Sequence, residues 1–136
     1  MQGAADDLPA DVRAFIASQV ASVVQLETLL MLHRTPERAW GADEVARELG
    51  IDRGWAEGQL ETLCQQGLAV CADAGQGRRY HYGAAAPLRA TVDALARAYA
   101  ERRVTVIGLI FAKPADALRA FSDAFRIRRD KDNPGG

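Results

Sequence analysis

The fold of this 136-residue chain is indicated by residues 42–66, which read ADEVARELGIDRGWAEGQLETLCQQ. The first part places apolar residues on one face of a short helix, and Gly50 is a typical helix stop. Asp52 can cap a second helix that runs to Gln66, with apolar side chains one turn apart along its inner side. Two helices joined by so short a turn are typical of a helix-turn-helix.

A short β-hairpin is predicted directly after the second helix. Leu68–Cys71 and Arg79–Tyr82 have the composition of brief strands, and Asp73–Gly77 supplies turn residues between them. A hairpin in this position forms a wing beside the helix-turn-helix. Trp40, just upstream, is expected to pack in a short strand of the core.

Helices are predicted on both sides of this unit. Upstream, residues 10–32 contain no internal Pro or Gly, and Ser22 is a good N-cap that would divide them into two helices. Downstream, a helical period runs from Pro87 to about Phe111. After a Lys-Pro break, Ala115–Arg129 is expected to form a final amphipathic helix.

Composition and charge exclude several classes of protein. The chain is 49% hydrophobic and 26% charged, with a formal net charge of -1, which is typical of a globular domain and not of a bulk basic protein. We find no signal-peptide pattern and no stretch of 18 apolar residues, so we expect a soluble cytoplasmic protein without a membrane partner. The two cysteines are too few for a disulfide framework.

The near-zero net charge hides a strong asymmetry between the two parts of the chain. Residues 1–75 carry 5 basic and 12 acidic side chains, whereas residues 76–136 carry 12 basic and 6 acidic ones. Such a division indicates a charged partner. Any attraction to nucleic acid would therefore come mainly from the wing and the C-terminal arginines.

The region from Gln25 to Tyr82 resembles the winged-helix transcriptional regulators, most closely the MarR-like group. Gln25–Leu32 resembles their first helix, Ala42–Leu49 the second, Asp52–Gln66 the recognition helix, and Gln66–Ala69 the exit into the wing. The resemblance implies a mainly α fold with a small β-hairpin wing, and with added N- and C-terminal dimerisation helices. The predicted division is a single domain, 1–136, with N-terminal helices at 8–34, a winged helix-turn-helix at 39–83, C-terminal helices at 87–129, and disordered tails at 1–7 and 130–136.

The function that this resemblance implies is a DNA-binding transcriptional regulator that acts as a homodimer on double-stranded DNA. Regulators of this kind place the recognition helix in the major groove and the wing on the backbone or in the minor groove. Arg53 and Gln59 are the candidate contacts on the helix, and Arg78, Arg79 and His81 are those on the wing. The alternative for the wing arginines is a pair of solubilising surface charges.

A second function, from a different class, is a winged-helix adaptor that binds a protein partner. Glu57 and Glu61 bring the wrong charge to a phosphate lattice, whereas Gly54, Trp55 and Gly58 form a flat surface with an aromatic ring beside it. A ligand-gated regulator also stays open, since the resemblance implies space for a small molecule between the domains. The sequence indicates no cofactor.

The C-terminal helices are expected to bury their apolar face in a two-fold interface, with folding back onto their own domain as the alternative. The predicted dimerisation residues are Leu88, Val92, Leu95, Tyr99, Val106, Ile110, Phe121 and Phe125.

Enzyme activity is not expected, because the sequence contains no recognisable nucleophile–base pair or nucleotide-binding motif. His33 and His81 stand apart from other metal-ligating residues, so no metal site is predicted. Cys64 and Cys71 are expected to be small buried hydrophobes. The alternative for these two cysteines is a thiol sensor, which would need a basic neighbourhood that the sequence around Cys64 lacks.

Overall fold

The computed structural model describes residues 8–75 and 77–112 as six helices and one antiparallel hairpin. This mainly α architecture with a small wing confirms the predicted fold class. The elements are α1 (Ala10–Gln19), α2 (Val23–Arg34), α3 (Ala42–Leu49), α4 (Arg53–Gln65), β1 (Ala69–Ala74), β2 (Gly77–Tyr82), α5 (Ala86–Glu101) and α6 (Arg103–Ala112).

The helix-turn-helix is formed by α3 and α4, as predicted. Gly50 ends α3 in the left-handed region, with φ of 68°, which glycine adopts without steric cost. The Ile51 N–H then donates to the Ala46 carbonyl at 3.0 Å, and the Asp52 side chain caps α4 by accepting from the Trp55 N–H at 3.2 Å. The turn is therefore fixed by local backbone chemistry.

The wing is longer than predicted. Its strands pair from Ala69 with Tyr82 to Ala74 with Gly77, so part of the predicted turn is in fact strand. Asp73 pairs with Arg78 across the ladder, and their side chains lie 3.4 Å apart, which extends the pairing. The core side of the hairpin is formed by two buried tyrosines of β2.

Trp40 lies in the core and confirms its predicted place. It forms an isolated bridge with Tyr80, and the two backbone hydrogen bonds measure 2.7 and 2.8 Å. Its indole N–H donates to Thr35 Oγ1 at 3.0 Å, and the ring is only 4% exposed. This bridge holds the segment before α3 against the wing.

The two N-terminal helices meet at Ser22, whose hydroxyl accepts from the Gln25 N–H at 3.1 Å. The buried Gln25 amide connects three elements. Its Nε2 donates to the Gln19 carbonyl at 2.7 Å and to Gln66 Oε1 at 3.1 Å, while Gln66 Nε2 donates to the same Gln19 carbonyl at 2.8 Å. The end of α1, the start of α2 and the end of α4 thus share one amide cluster.

The C-terminal helix is not continuous, contrary to the prediction of one helix from Pro87 to about Phe111. It breaks at Arg102, with φ of −136° and ψ of 54°. The break turns α6 back toward the domain, where Val106 and Ile110 are buried. The predicted helix Ala115–Arg129 and the two predicted tails lie outside the described residues, so the division of the chain into functional segments stays a prediction.

No single helix of the described ranges is both long and apolar enough to cross a membrane; α1 and α2 meet that test only jointly, across a bend of 119°.

Candidate functional site

Four arginines converge where α3, the start of α4 and the start of β2 meet. They line a cleft of about 250 Å³ together with glycine backbone and two acidic residues. We call this the arginine cleft and define it by Arg47, Arg53, Arg78 and Arg79. Guanidinium groups are suited to bidentate contacts with phosphate. The cleft therefore presents donors of the kind that bind phosphate.

The bridge between Trp40 and Tyr80 brings the α3 side of the cleft against the wing. It places Gly41 beside Arg79, and a Cβ atom on Gly41 would lie 3.3 Å from Arg79 Nη1. The Gly41 N–H donates to Glu44 Oε1 at 2.9 Å, and Arg79 Nη1 donates to that same oxygen at 2.7 Å. The Gly41 hydrogen bond, followed by the charge of Arg79, lowers the pKa of Glu44.

Three of the four cleft arginines are ion-paired within the domain. Arg53 contacts the Asp43 carboxylate and lies 3.7 Å from Glu57. On the wing, Arg78 Nε donates to Glu61 Oε2 at 2.6 Å. The pairs of Arg53, in which every side chain is more than 40% exposed, contribute only about 0–1 kcal/mol each. A competing phosphate can therefore replace them at small cost.

The structure brings together three of the five predicted DNA contacts, namely Arg53, Arg78 and Arg79. Gln59 and His81 lie outside the cleft. Arg47 was not predicted as a contact. It occupies the last turn of α3, and only the return of the wing over that helix places it in the same site.

Glu61 faces the wing, although the sequence suggested that it points outward with Glu57. Its Oε2 accepts the Tyr80 hydroxyl at 2.5 Å as well as Arg78. The hydrogen bond from Tyr80 lowers the pKa of Glu61 the most, and the hydrogen bond from Arg78 lowers it further. Burial, followed by the Glu61 hydrogen bond, raises the pKa of Tyr80. Glu61 thus fastens the wing to α4.

We expect Glu61→Gln to lower the free energy of unfolding at neutral pH by about 1–2 kcal/mol, because a partly screened, charge-assisted hydrogen bond to a buried hydroxyl is lost. Folding lowers the pKa of Glu61 below its ordinary value of 4.5. The ionised carboxylate therefore stabilises the fold above pH 4.5, and this stabilisation is lost as the pH falls through the folded-state pKa. The difference between wild type and variant, measured by urea denaturation, should therefore shrink below about pH 4.5.

Glu57→Gln is the matched control for this experiment, since it removes the same charge from an exposed pair on the same helix. Its effect should stay within the ~0–1 kcal/mol of a surface ion pair. Equal effects of the two variants at every pH would contradict the anchoring role of Glu61.

The exposed face of α4 contains Gly54, Trp55 and Gly58. Trp55 is 48% exposed, and a Cβ atom on Gly58 would meet nothing within 4 Å. Beside Trp55 lies a second cleft of about 280 Å³ with largely apolar walls, formed by the start of α2 and the end of α6. This side of α4 is open and apolar, unlike the arginine cleft.

The residues predicted for dimerisation do not all face outward. Val92, Leu95, Val106 and Ile110 are at most 2% exposed within the protomer, so these four side chains are used by the domain's own core, as in the fold-back alternative. Leu88 and Tyr99 are partly buried. The remaining two, Phe121 and Phe125, lie outside the described residues.

Tyr99 is tied to α2. Its hydroxyl donates to Glu27 Oε2 at 2.7 Å, and burial together with this hydrogen bond raises its pKa to about 12. The large apolar side chains that α6 leaves exposed are Val104 and Phe111. Any two-fold contact made by the described part of the C-terminal helices would therefore involve other residues than the four buried ones.

No protein-family model and no curated protein matches this sequence. Among solved structures, the chain is similar to MepR, a transcription regulator of the Staphylococcus aureus multidrug efflux pump MepA. The two are 14% identical, with a TM-score of 0.51 over 86% of this chain and 89% of that one. A probable transcriptional regulator from Pseudomonas aeruginosa is 17% identical, with a TM-score of 0.51 over 89% and 90% of the two chains. The chain therefore has the winged helix-turn-helix fold of these two solved regulators, which is the fold that its sequence predicted.

Proposed function

We propose that this protein is a DNA-binding transcriptional regulator that acts as a homodimer in the cytoplasm. The observation that carries the proposal is the arginine cleft, in which the recognition helix α4 and the wing present guanidinium groups to one space. Solved transcription regulators with this fold support the same function.

In the proposed complex, α4 enters the major groove and the arginine cleft holds the sugar-phosphate backbone beside it. Arg53 lies at the first turn of α4, where winged and helix-turn-helix proteins make their base contacts. Arg78 and Arg79 approach from the wing. Five acidic side chains pair with these three arginines in the free protein, namely Asp43, Glu44, Glu57, Glu61 and Asp73. Binding therefore requires an exchange of carboxylate for phosphate.

The dimer is proposed to place two such sites on successive half-sites, about 10 base pairs apart. The C-terminal helices are proposed to form the two-fold contact, with the segment 113–129 completing it. We infer the order of events from charge: the wing arginines and the arginines at 126, 128 and 129 attract the duplex, and α4 then reads its sequence.

Salt dependence of binding to a generic duplex tests this proposal. If about six phosphates are neutralised per dimer, log K should fall with log salt concentration with a slope of about −5. Fluorescence anisotropy with a labelled duplex of about 30 base pairs, long enough for two half-sites and their flanks, measures the slope, and sedimentation equilibrium gives the stoichiometry. No binding at low salt would refute the DNA-binding function.

The second candidate function is an adaptor that binds a protein partner through Gly54, Trp55 and Gly58. It is favoured by the exposure of Trp55 beside the apolar cleft. Trp55→Ala separates the two functions. An adaptor would lose its partner, whereas salt-dependent attraction to generic DNA, which rests on the arginines, should persist in this variant.

A further inference from the structure

The apolar cleft beside α4 is lined by two large aromatic side chains that stay in contact with water. The cavity, of about 280 Å³, lies between the start of α2, Trp55 of α4 and Phe111 at the end of α6. Trp55 is 48% exposed and Phe111 is 67% exposed. Two exposed rings that line one cavity, unlike single apolar residues scattered over a surface, mark a contact site.

The apolar surface continues from this cleft toward the helix-turn-helix. Val23 and Val24, which line the cleft from α2, also line a second cavity of about 180 Å³. Leu49 and Ile51, at the turn between α3 and α4, line that cavity as well, and Glu27 adds a carboxylate to it. The two cavities therefore adjoin along α2 and form one apolar track.

The described part of the chain ends beside the cleft. Phe111 lines the cavity, and Ala112 is the last described residue. Another 24 residues follow, 113–136. A segment tethered this close to a site has an effective concentration in the millimolar range. The residues after α6 therefore have an advantage over any separate molecule at ordinary protein concentrations.

The sequence after α6 has the chemistry to cover such a cleft. Segment 115–129 reads ADALRAFSDAFRIRR, and in the helix predicted for it Leu118, Phe121 and Phe125 share one face. Lys113–Pro114 separates this segment from α6. Because a residue before proline is disfavoured in helical geometry, the chain can change direction there.

Charge favours the same pairing. Apart from α6, the two cavities are built from residues 1–75, which carry 12 acidic and 5 basic side chains, whereas three of the last four residues of the segment are arginines. Glu27 lines the second cavity, and Glu48 and Asp52 are the sequence neighbours of Leu49 and Ile51. The apolar face of the segment thus suits the track, and its basic end suits the acidic surroundings.

We propose that segment 115–129 of the same chain docks on the apolar cleft, with its apolar face against Trp55 and Phe111. In the proposed regulator, α4 enters the major groove and this segment completes the two-fold contact. Docking opposes both events, because it covers the exposed ring on α4 and occupies the apolar face of the segment. The docked form is therefore autoinhibited. That consequence rests on the proposed function, whereas the docking itself does not.

Photo-crosslinking of the full-length protein tests the docking without DNA, so its failure is distinct from a failure of DNA binding. Phe121 is replaced by p-benzoylphenylalanine, and a mixture of ordinary and isotopically labelled chains separates links within a chain from links between chains. Mass spectrometry should locate links within the chain at the residues that line the cleft. Links only between chains, which would make a second copy the occupant, or links only to other parts of the fold would overturn the proposal.

Acrylamide quenching of tryptophan fluorescence gives a second measurement, because Trp40 is 4% exposed and Trp55 therefore dominates the quenching. Phe121→Asp/Phe125→Asp should raise the quenching constant about twofold, because unpaired carboxylates are costly to bury in an apolar cleft and the Trp55 ring returns to water.

Ala120→Asp/Ala124→Asp is the matched control, since it adds the same two charges to the opposite face of the predicted helix. Its quenching constant should equal that of the wild type. Circular dichroism identifies any variant that fails to fold, and the cross-link in the otherwise unaltered chain then decides the question. Equal quenching constants for the wild type and both double variants would contradict the docking.

Discussion

Replacing Trp40 with alanine is expected to lower the free energy of unfolding by about 3–5 kcal/mol, the usual cost of truncating a buried tryptophan. The ring is 4% exposed and its N–H is hydrogen-bonded to Thr35. The Arg38 guanidinium also stacks over it, 3.5 Å from the ring centroid. Truncation leaves a large cavity at the point where the wing joins the domain, so we expect the loss to fall at the upper end of core substitutions.

Guanidinium denaturation followed by far-UV circular dichroism measures this loss. Trp55→Ala is the matched control, because the same side chain is removed from a position that is 48% exposed. Its effect should stay below about 1 kcal/mol. Equal destabilisation of the two variants would mean that the buried Trp40 ring contributes no more to stability than an exposed one.

The double variant Arg78→Ala/Arg79→Ala is expected to weaken binding to a generic duplex by at least roughly a hundredfold at low salt. Each dimer loses four guanidinium groups from the wing side of the arginine cleft. The slope of log K against log salt should become less steep by about 3–4, since each lost phosphate contact changes it by about 0.9. Glu61 would lose its arginine partner and Glu44 would keep only Arg38, at 3.9 Å, so both carboxylates would add repulsion of the same sign.

Arg97→Ala/Arg102→Ala is the control for charge, since it removes the same number of exposed positive charges at a distance from the cleft. Its salt slope should equal that of the wild type. If both double variants weakened binding equally, the attraction would come from overall charge and the cleft would have no special role. Thermal melts of all proteins separate weaker binding from unfolding.

The helix-turn-helix could be predicted from the sequence because its signals are local. Gly50 needs only its own backbone freedom to end α3, and Ser22 and Asp52 cap helices through N–H groups three residues away. The burial of Trp40 in the core was also predicted correctly, since a tryptophan just before α3 lies next to the apolar face of the helix-turn-helix.

The remaining features depend on contacts between distant parts of the chain. Glu61 faces inward because Tyr80, nineteen residues away, offers it a hydroxyl. The apolar period of the C-terminal helix continues through Arg102, but the helix itself breaks there. After the break, Val106 and Ile110 are buried in the same domain. Periodicity shows which side chains share a face, and it does not identify what covers that face.

The amide cluster around Gln25 has a mechanical consequence. One carbonyl, that of Gln19, accepts from both Gln25 and Gln66, so the last turn of the recognition helix is fastened to the last turn of α1. Apolar surfaces can slide past each other, whereas hydrogen bonds fix both distance and angle. A tilt imposed on α1 would therefore be transmitted to α4, and in the proposed dimer it would change the separation of the two α4 helices.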